Sequence, residues 1–152
     1  MEINKPFYPY QLSEDALRFD FHSVSNTKRI HKVVQYSPIP DNDSIFQLSF
    51  GDLKDDDTLD FLTVSDNQDM KKILTTVIQT IFKFFELKPD KTIVFIGSTE
   101  TRTRLYRIII NKLIDEMELY FNIIGIKEDG NQESFIKNQQ YLAFLIFLKD
   151  EK

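Results

Sequence analysis

The sequence predicts a single α+β domain over residues 1–152: one mixed, mainly antiparallel sheet with two long helices packed on it, in the order ββββ-α-β-α-ββ. Three observations predict it. The first sixty-odd residues place apolar side chains at alternate positions between turn-forming clusters. Two later segments, 70–85 and 100–121, switch to helical spacing. The final run, Tyr141 to Leu148, is almost continuously apolar.

Taken in order, Phe19 and Phe21 alternate with polar neighbours in Arg18–His22, and Ser25-Asn26-Thr27 turns the chain into a strand from Arg29 to Tyr36. Pro38, Pro40 and the cluster Asp41-Asn42-Asp43 mark the next turn, after which Ile45–Phe50 alternates again and Gly51-Asp52 closes the strand. Lys54-Asp55-Asp56-Asp57 reads as a solvated loop, and Leu59–Val64 as a fourth strand. Ser65, Asp66 and Asn67 then offer N-caps to a helix. Its apolar residues Met70, Ile73, Leu74, Val77, Ile78, Ile81 and Phe85 fall on one side, opposite Lys72, Thr76, Gln79 and Lys83. Pro89 ends it.

Thr92–Ile96 is a strand that hands over to the second helix, Glu100–Phe121. Leu105, Ile109, Leu113, Met117 and Tyr120 define that helix's core side; Arg104, Arg107, Asn111, Asp115 and Glu118 define its polar side. A short strand at Ile123–Ile126 and a polar turn at Glu128–Asn131 lead to the last strand, whose apolar run suits burial on both faces. Tyr8 and Tyr10, around Pro9, read as an N-terminal arm.

A chain of 152 residues is long enough to bury roughly 70% of its unfolded surface. Fourteen Phe and six Tyr without Trp point to a phenylalanine-rich core, with a base-stacking surface as the other use of so many rings. A net charge of −5 argues against indiscriminate duplex binding. The absence of cysteine removes disulfides, thiolate metal sites and a thiol nucleophile together. Two histidines, His22 and His31, are too few for a transition-metal cluster, although they sit in neighbouring strands and could face each other. The run Asp52–Asp57 lacks the ligand spacing of a calcium loop. No resident metal or cofactor is expected. No apolar run approaches the length of a membrane span and no apolar signal region opens the chain, so a cytoplasmic protein without membrane contact is expected.

The densest concentration of chemistry is Gly97-Ser98-Thr99-Glu100-Thr101-Arg102-Thr103-Arg104-Leu105-Tyr106-Arg107, where a strand meets a helix N-terminus. Free N–H groups and the helix dipole favour an anion there, and guanidinium forks grip carboxylate or phosphate. The candidate binding residues are Gly97, Ser98, Thr99, Arg102, Arg104, Tyr106 and Arg107. Arg102 falls on the core side, so it either joins an internal ion pair, with Asp20 or Asp52 as partner, or faces an anion in a cavity. Arg104 and Arg107 either lie on a solvated face, with i,i+4 partners such as Asn111, or meet a ligand. Ser98 and Thr99 are better N-cap hydroxyls than nucleophiles, since no base or orienting acid stands near them in sequence.

With Tyr8-Pro9-Tyr10, Leu12-Ser13-Glu14-Asp15, Phe50-Gly51-Asp52, Ser65-Asp66-Asn67 with Asp69, and Gly97-Ser98-Thr99 followed by Arg102–Arg107, the whole chain resembles an uncharacterised family of small bacterial proteins, a domain of unknown function. That resemblance implies no activity. The element order alone resembles the C-terminal two-thirds of the acyl-CoA-dependent N-acetyltransferase fold, in which Leu105-Tyr106-Arg107 would match the tyrosine-bearing turn. That family's glycine-rich pyrophosphate loop is replaced here by Ser65-Asp66-Asn67-Gln68-Asp69, whose carboxylates repel pyrophosphate.

The expected function is a non-catalytic binding module whose partner is a protein carboxylate surface, an anionic small molecule such as a nucleotide, or a single-stranded nucleic acid. The enzymatic alternative is an acyl- or phosphoryl-group transferase in which Arg102 and Arg104 clamp the anion and Tyr106 is the acid. A third is a structural subunit whose arginines pair across an interface.

Overall fold

A computed structural model describes residues 5–60, 69–96 and 100–149, and within the second helix the side chains of 104, 107, 108, 110, 111 and 114–117. The described elements are β1 (Gln11–Leu12), β2 (Arg18–Val24), β3 (Arg29–Ile39), β4 (Asn42–Leu53), β5 (Leu59–Asp60), α1 (Met70–Leu87), β6 (Thr92–Ile96), α2 (Glu100–Met117), β7 (Phe121–Ile126), β8 (Gln132–Ser134) and β9 (Ala143–Leu148). The α+β class holds, with one mixed, mostly antiparallel sheet and two helices. Its strands are hydrogen-bonded in the order β1-β2-β3-β4-β6-β9-β7-β8, with β5 also on β4.

The element order differs from expectation by two short strands, β1 and β8, which line the sheet's ends. The fourth expected strand begins at Leu59, but 61–64 lie outside the described residues, as do the N-cap candidates Ser65, Asp66 and Asn67. The second helix stops at Met117, four residues early. Tyr120 N–H turns back to the Met117 carbonyl (3.0 Å), and Phe121 already begins β7.

The chain divides into two compact units, residues 1–37 with 49–87, and residues 38–48 with 88–152. In the first unit, β2 alternates as its sequence requires, with Phe19, Phe21 and Ser23 buried and Arg18, Asp20 and His22 on the other face. Tyr36 stacks on Phe84 of α1 at 4.5 Å, and its hydroxyl meets Thr80 Oγ1 at 2.9 Å.

The first helix is buried nearly all round, and this corrects its expected polar side: Thr76 is fully buried and Gln79 almost so. The arm explains Thr76. Tyr8 stacks on Phe21 (6.0 Å), donates its N–H to Thr76 Oγ1 (2.8 Å) and lies under the Lys72 ammonium (4.2 Å). Tyr10 packs edge-on against Phe19 at 5.1 Å. One face of α1 therefore meets Tyr36 of β3 while the arm claims Thr76.

The second unit is built on rows of side chains crossing its strands. Phe46 stands beside Ile93 in the parallel β4–β6 pair, Ile93 opposite Ile146, and Ile146 opposite Ile123. All four are buried. The next same-face row is Phe95, Phe144 and Gly125, and the ring of Tyr141 lies against Gly125. The last strand is less enclosed than its composition suggests: Ala143, Phe144 and Ile146 are buried, Leu145, Phe147 and Leu148 only in part. No described helix is long and apolar enough to cross a membrane.

Candidate functional site

The strand-to-helix junction forms where the sequence places it, with β6 ending at Ile96 and α2 opening at Glu100. Ile93, Val94 and Phe95 anchor the strand between β4 and β9, while Ile96 at its end is half exposed. Gly97, Ser98 and Thr99 lie outside the described residues, and so do the side chains of Arg102 and Tyr106, though both residues are on the helix.

Arg104 is exposed and Arg107 half-buried. Among the described side chains of α2, Ile110, Ile114 and Met117 are buried, so of the expected core residues with described side chains only Met117 is buried; Tyr120 lies past the helix and is half-buried. The sequence puts Arg107 on the polar side, and it is half-buried there rather than fully exposed.

The expected pairing of Arg107 with Asn111 does not form, since Asn111 Oδ1 is buried without a partner. Among the described residues, no carboxylate engages Arg104 or Arg107. The carboxylates considered for Arg102 hold other partners. Asp20 binds Arg18 and His31, and Asp52 binds Lys32 at 2.6 Å.

A second constellation lies in the first unit. The antiparallel register sets His22 directly opposite His31, with ring centres 4.6 Å apart. Asp20 is two residues before His22, so both share a face of β2. Its Oδ2 accepts from His31 Nε2 at 2.7 Å, and the Arg18 guanidinium grips the same carboxylate in a fork, Nε to Oδ1 at 2.8 Å and Nη2 to Oδ2 at 3.0 Å. Partial burial works to raise the Asp20 carboxyl, but these hydrogen bonds outweigh it and hold the group below the usual carboxylate range. Desolvation, reinforced by the charges of Arg29 and His31, pushes His22 below the usual imidazole range.

An open groove of about 1070 Å³ borders this face, lined by His22, Arg29, His31, Asp52, Lys54 and Asp60 among others. On the other, buried face of β2, Asp69, which precedes α1, takes hydrogen bonds from the Tyr8 hydroxyl and from Ser23 Oγ (2.6 Å). Its other oxygen is buried without a partner. Sequence reasoning noticed the two histidines and missed Asp20 as their anchor. The signal was present, since strand alternation puts residues 20 and 22 on one face. No three of His, Asp or Glu among the described residues converge as ligands for a metal ion.

Residues 4–149 match a family of unknown function, DUF6934, and the chain belongs to that family. No curated protein and no solved structure matches it.

Proposed function

We propose that this protein is a binding module that takes an anionic ligand or an acidic partner at the β6–α2 junction, through Gly97, Ser98, Thr99, Arg102, Arg104, Tyr106 and Arg107. The observation that carries the reading is the state of Arg104 and Arg107. Both stand in the first turns of an 18-residue helix, and among the described residues neither has a carboxylate partner. The helix dipole favours an anion at that end, and guanidinium groups within reach of it would strengthen the hold.

The test is calorimetric titration with an acidic peptide, a short single-stranded oligonucleotide and coenzyme A, at low and high salt. Binding of the peptide or oligonucleotide should weaken at least tenfold in Arg104→Ala/Arg107→Ala and should fall as salt rises. Coenzyme A bound with low-micromolar affinity regardless of those substitutions would favour the transferase. Absence of binding by all three probes at low salt would overturn the module.

A further inference from the structure

We propose that the cross-strand pair His22–His31 is a binding site for a divalent transition-metal ion of the zinc type, held by one nitrogen of each imidazole and completed by water. It is separate from the anion site and does not depend on it.

Four observations carry the inference. The two rings project from directly opposed residues of the β2–β3 ladder, so the backbone fixes their spacing. A zinc–nitrogen distance of about 2.0–2.1 Å puts the metal about 3.2 Å from each ring centre, so two rings sharing it at about 90–110° stand about 4.5–5.2 Å apart. The rings here are 4.6 Å apart. His31 Nε2 donates to Asp20 Oδ2 at 2.7 Å, which leaves Nδ1 as the nitrogen with a free lone pair. A carboxylate on the far nitrogen of a metal-binding imidazole is the usual way such a ring is oriented and made more basic. Finally, Asp20 is itself held in a fork by Arg18, so the orienting carboxylate is fixed. Both rings border the open groove, which gives an ion and its waters access.

One neighbour works against the cation. Arg29 lies close enough to His22 to disfavour positive charge there, so removing its charge should tighten binding. Two imidazoles suit zinc, nickel or copper, whereas magnesium prefers a shell of oxygens.

The experiment uses the untagged full chain, whose only two histidines are these and which has no cysteine. Zinc chloride is titrated calorimetrically, with magnesium chloride as control, and the imidazole nitrogens are followed by NMR. The expected result is one zinc per chain, a shift centred on His31 Nδ1, and no response to magnesium. Affinity should drop at least about tenfold in His22→Gln and in His31→Gln, drop in Asp20→Asn, and rise a few-fold in Arg29→Gln. Circular dichroism of each variant without metal checks that it folds. No zinc binding by the wild type up to millimolar concentration would overturn the site. So would zinc binding that persists unchanged in both histidine variants, or no movement of the imidazole nitrogens in the wild-type spectrum.

Discussion

The ring of Tyr141 fills the place where Gly125 would carry a side chain: a Cβ there would stand 2.5 Å from Tyr141 Cδ1 and 2.6 Å from Cζ. The ring cannot swing aside. It packs against Phe135 (5.6 Å) and Phe144 (5.8 Å), and its hydroxyl accepts the Ile136 N–H at 3.1 Å.

Gly125→Ala should therefore destabilise the protein by about 1–3 kcal/mol through overpacking. Tyr141→Ala should also destabilise, through a cavity. The double variant should cost less than the sum, because the smaller residue makes room for the added methyl. Urea unfolding of the four proteins measures the coupling, and strict additivity would refute the packing.

The pair Lys32–Asp52 has side chains only 3% and 13% exposed, and the ammonium also lies 5.7 Å from the Phe50 ring centre. Asp52→Ala leaves a buried ammonium without its carboxylate and should cost about 3–5 kcal/mol. Lys54–Asp60, with Lys54 57% exposed and 3.6 Å separating the charges, is the internal comparison. Lys54→Ala should change stability by less than about 0.5 kcal/mol. Chemical denaturation reads both, and equal effects would show that burial does not distinguish the pairs.

The Asp20 carboxyl has its pKa depressed in the folded protein. It therefore binds protons less readily folded than unfolded. Its stabilisation is fully present above the unfolded value of about 3.9 and is lost as pH falls through the lower folded value. Asp20→Asn should unfold more easily than wild type at pH 6–7, with the gap closing below about pH 4. Denaturation midpoints across that range provide the check, and a gap constant with pH would exclude the linkage.

Much of the fold was legible because its main strands and first helix keep a clean period. Phe19 and Phe21 announce β2, and Ile73 through Phe85 announce α1. What periodicity could not supply was anything set by a distant partner. Thr76 looks solvent-facing from its neighbours, yet Tyr8, 68 residues earlier, donates its N–H to the Thr76 hydroxyl. The α2 stripe is ambiguous in the sequence for a different reason. Leu105, Tyr106, Ile108, Ile109 and Ile110 place apolar groups on several faces at once, so the wheel has no unique core side. Among the described side chains the buried ones are Ile110, Ile114 and Met117; those of Leu105, Ile109 and Leu113 lie outside the described residues. The end of α2 was misplaced because Phe121 fits a helix as well as a strand. At the candidate junction, the handover from β6 to α2 and the exposure of Arg104 were readable. The half-burial of Arg107 was not. His22 and His31 could be placed opposite each other from strand spacing, and Arg18 beside Asp20 from alternation, but the Asp20–His31 hydrogen bond requires the register itself.

The division of the chain bears on how the protein can be made or cut. Residues 38–48 group with 88–152, although they are synthesised between two segments of the other unit. The chain thus passes from one unit to the other at 37/38, 48/49 and 87/88. No single cut yields two independent pieces. A fragment ending at Leu87 would carry the start of β4 without β6, its parallel partner at Ile45–Gln47, and an unpaired strand edge invites association with other chains. On the ribosome, that edge waits until Val94 has emerged. Expression of the halves separately should give aggregation-prone products, and the second unit on its own would need residues 38–48 fused directly to 88–152.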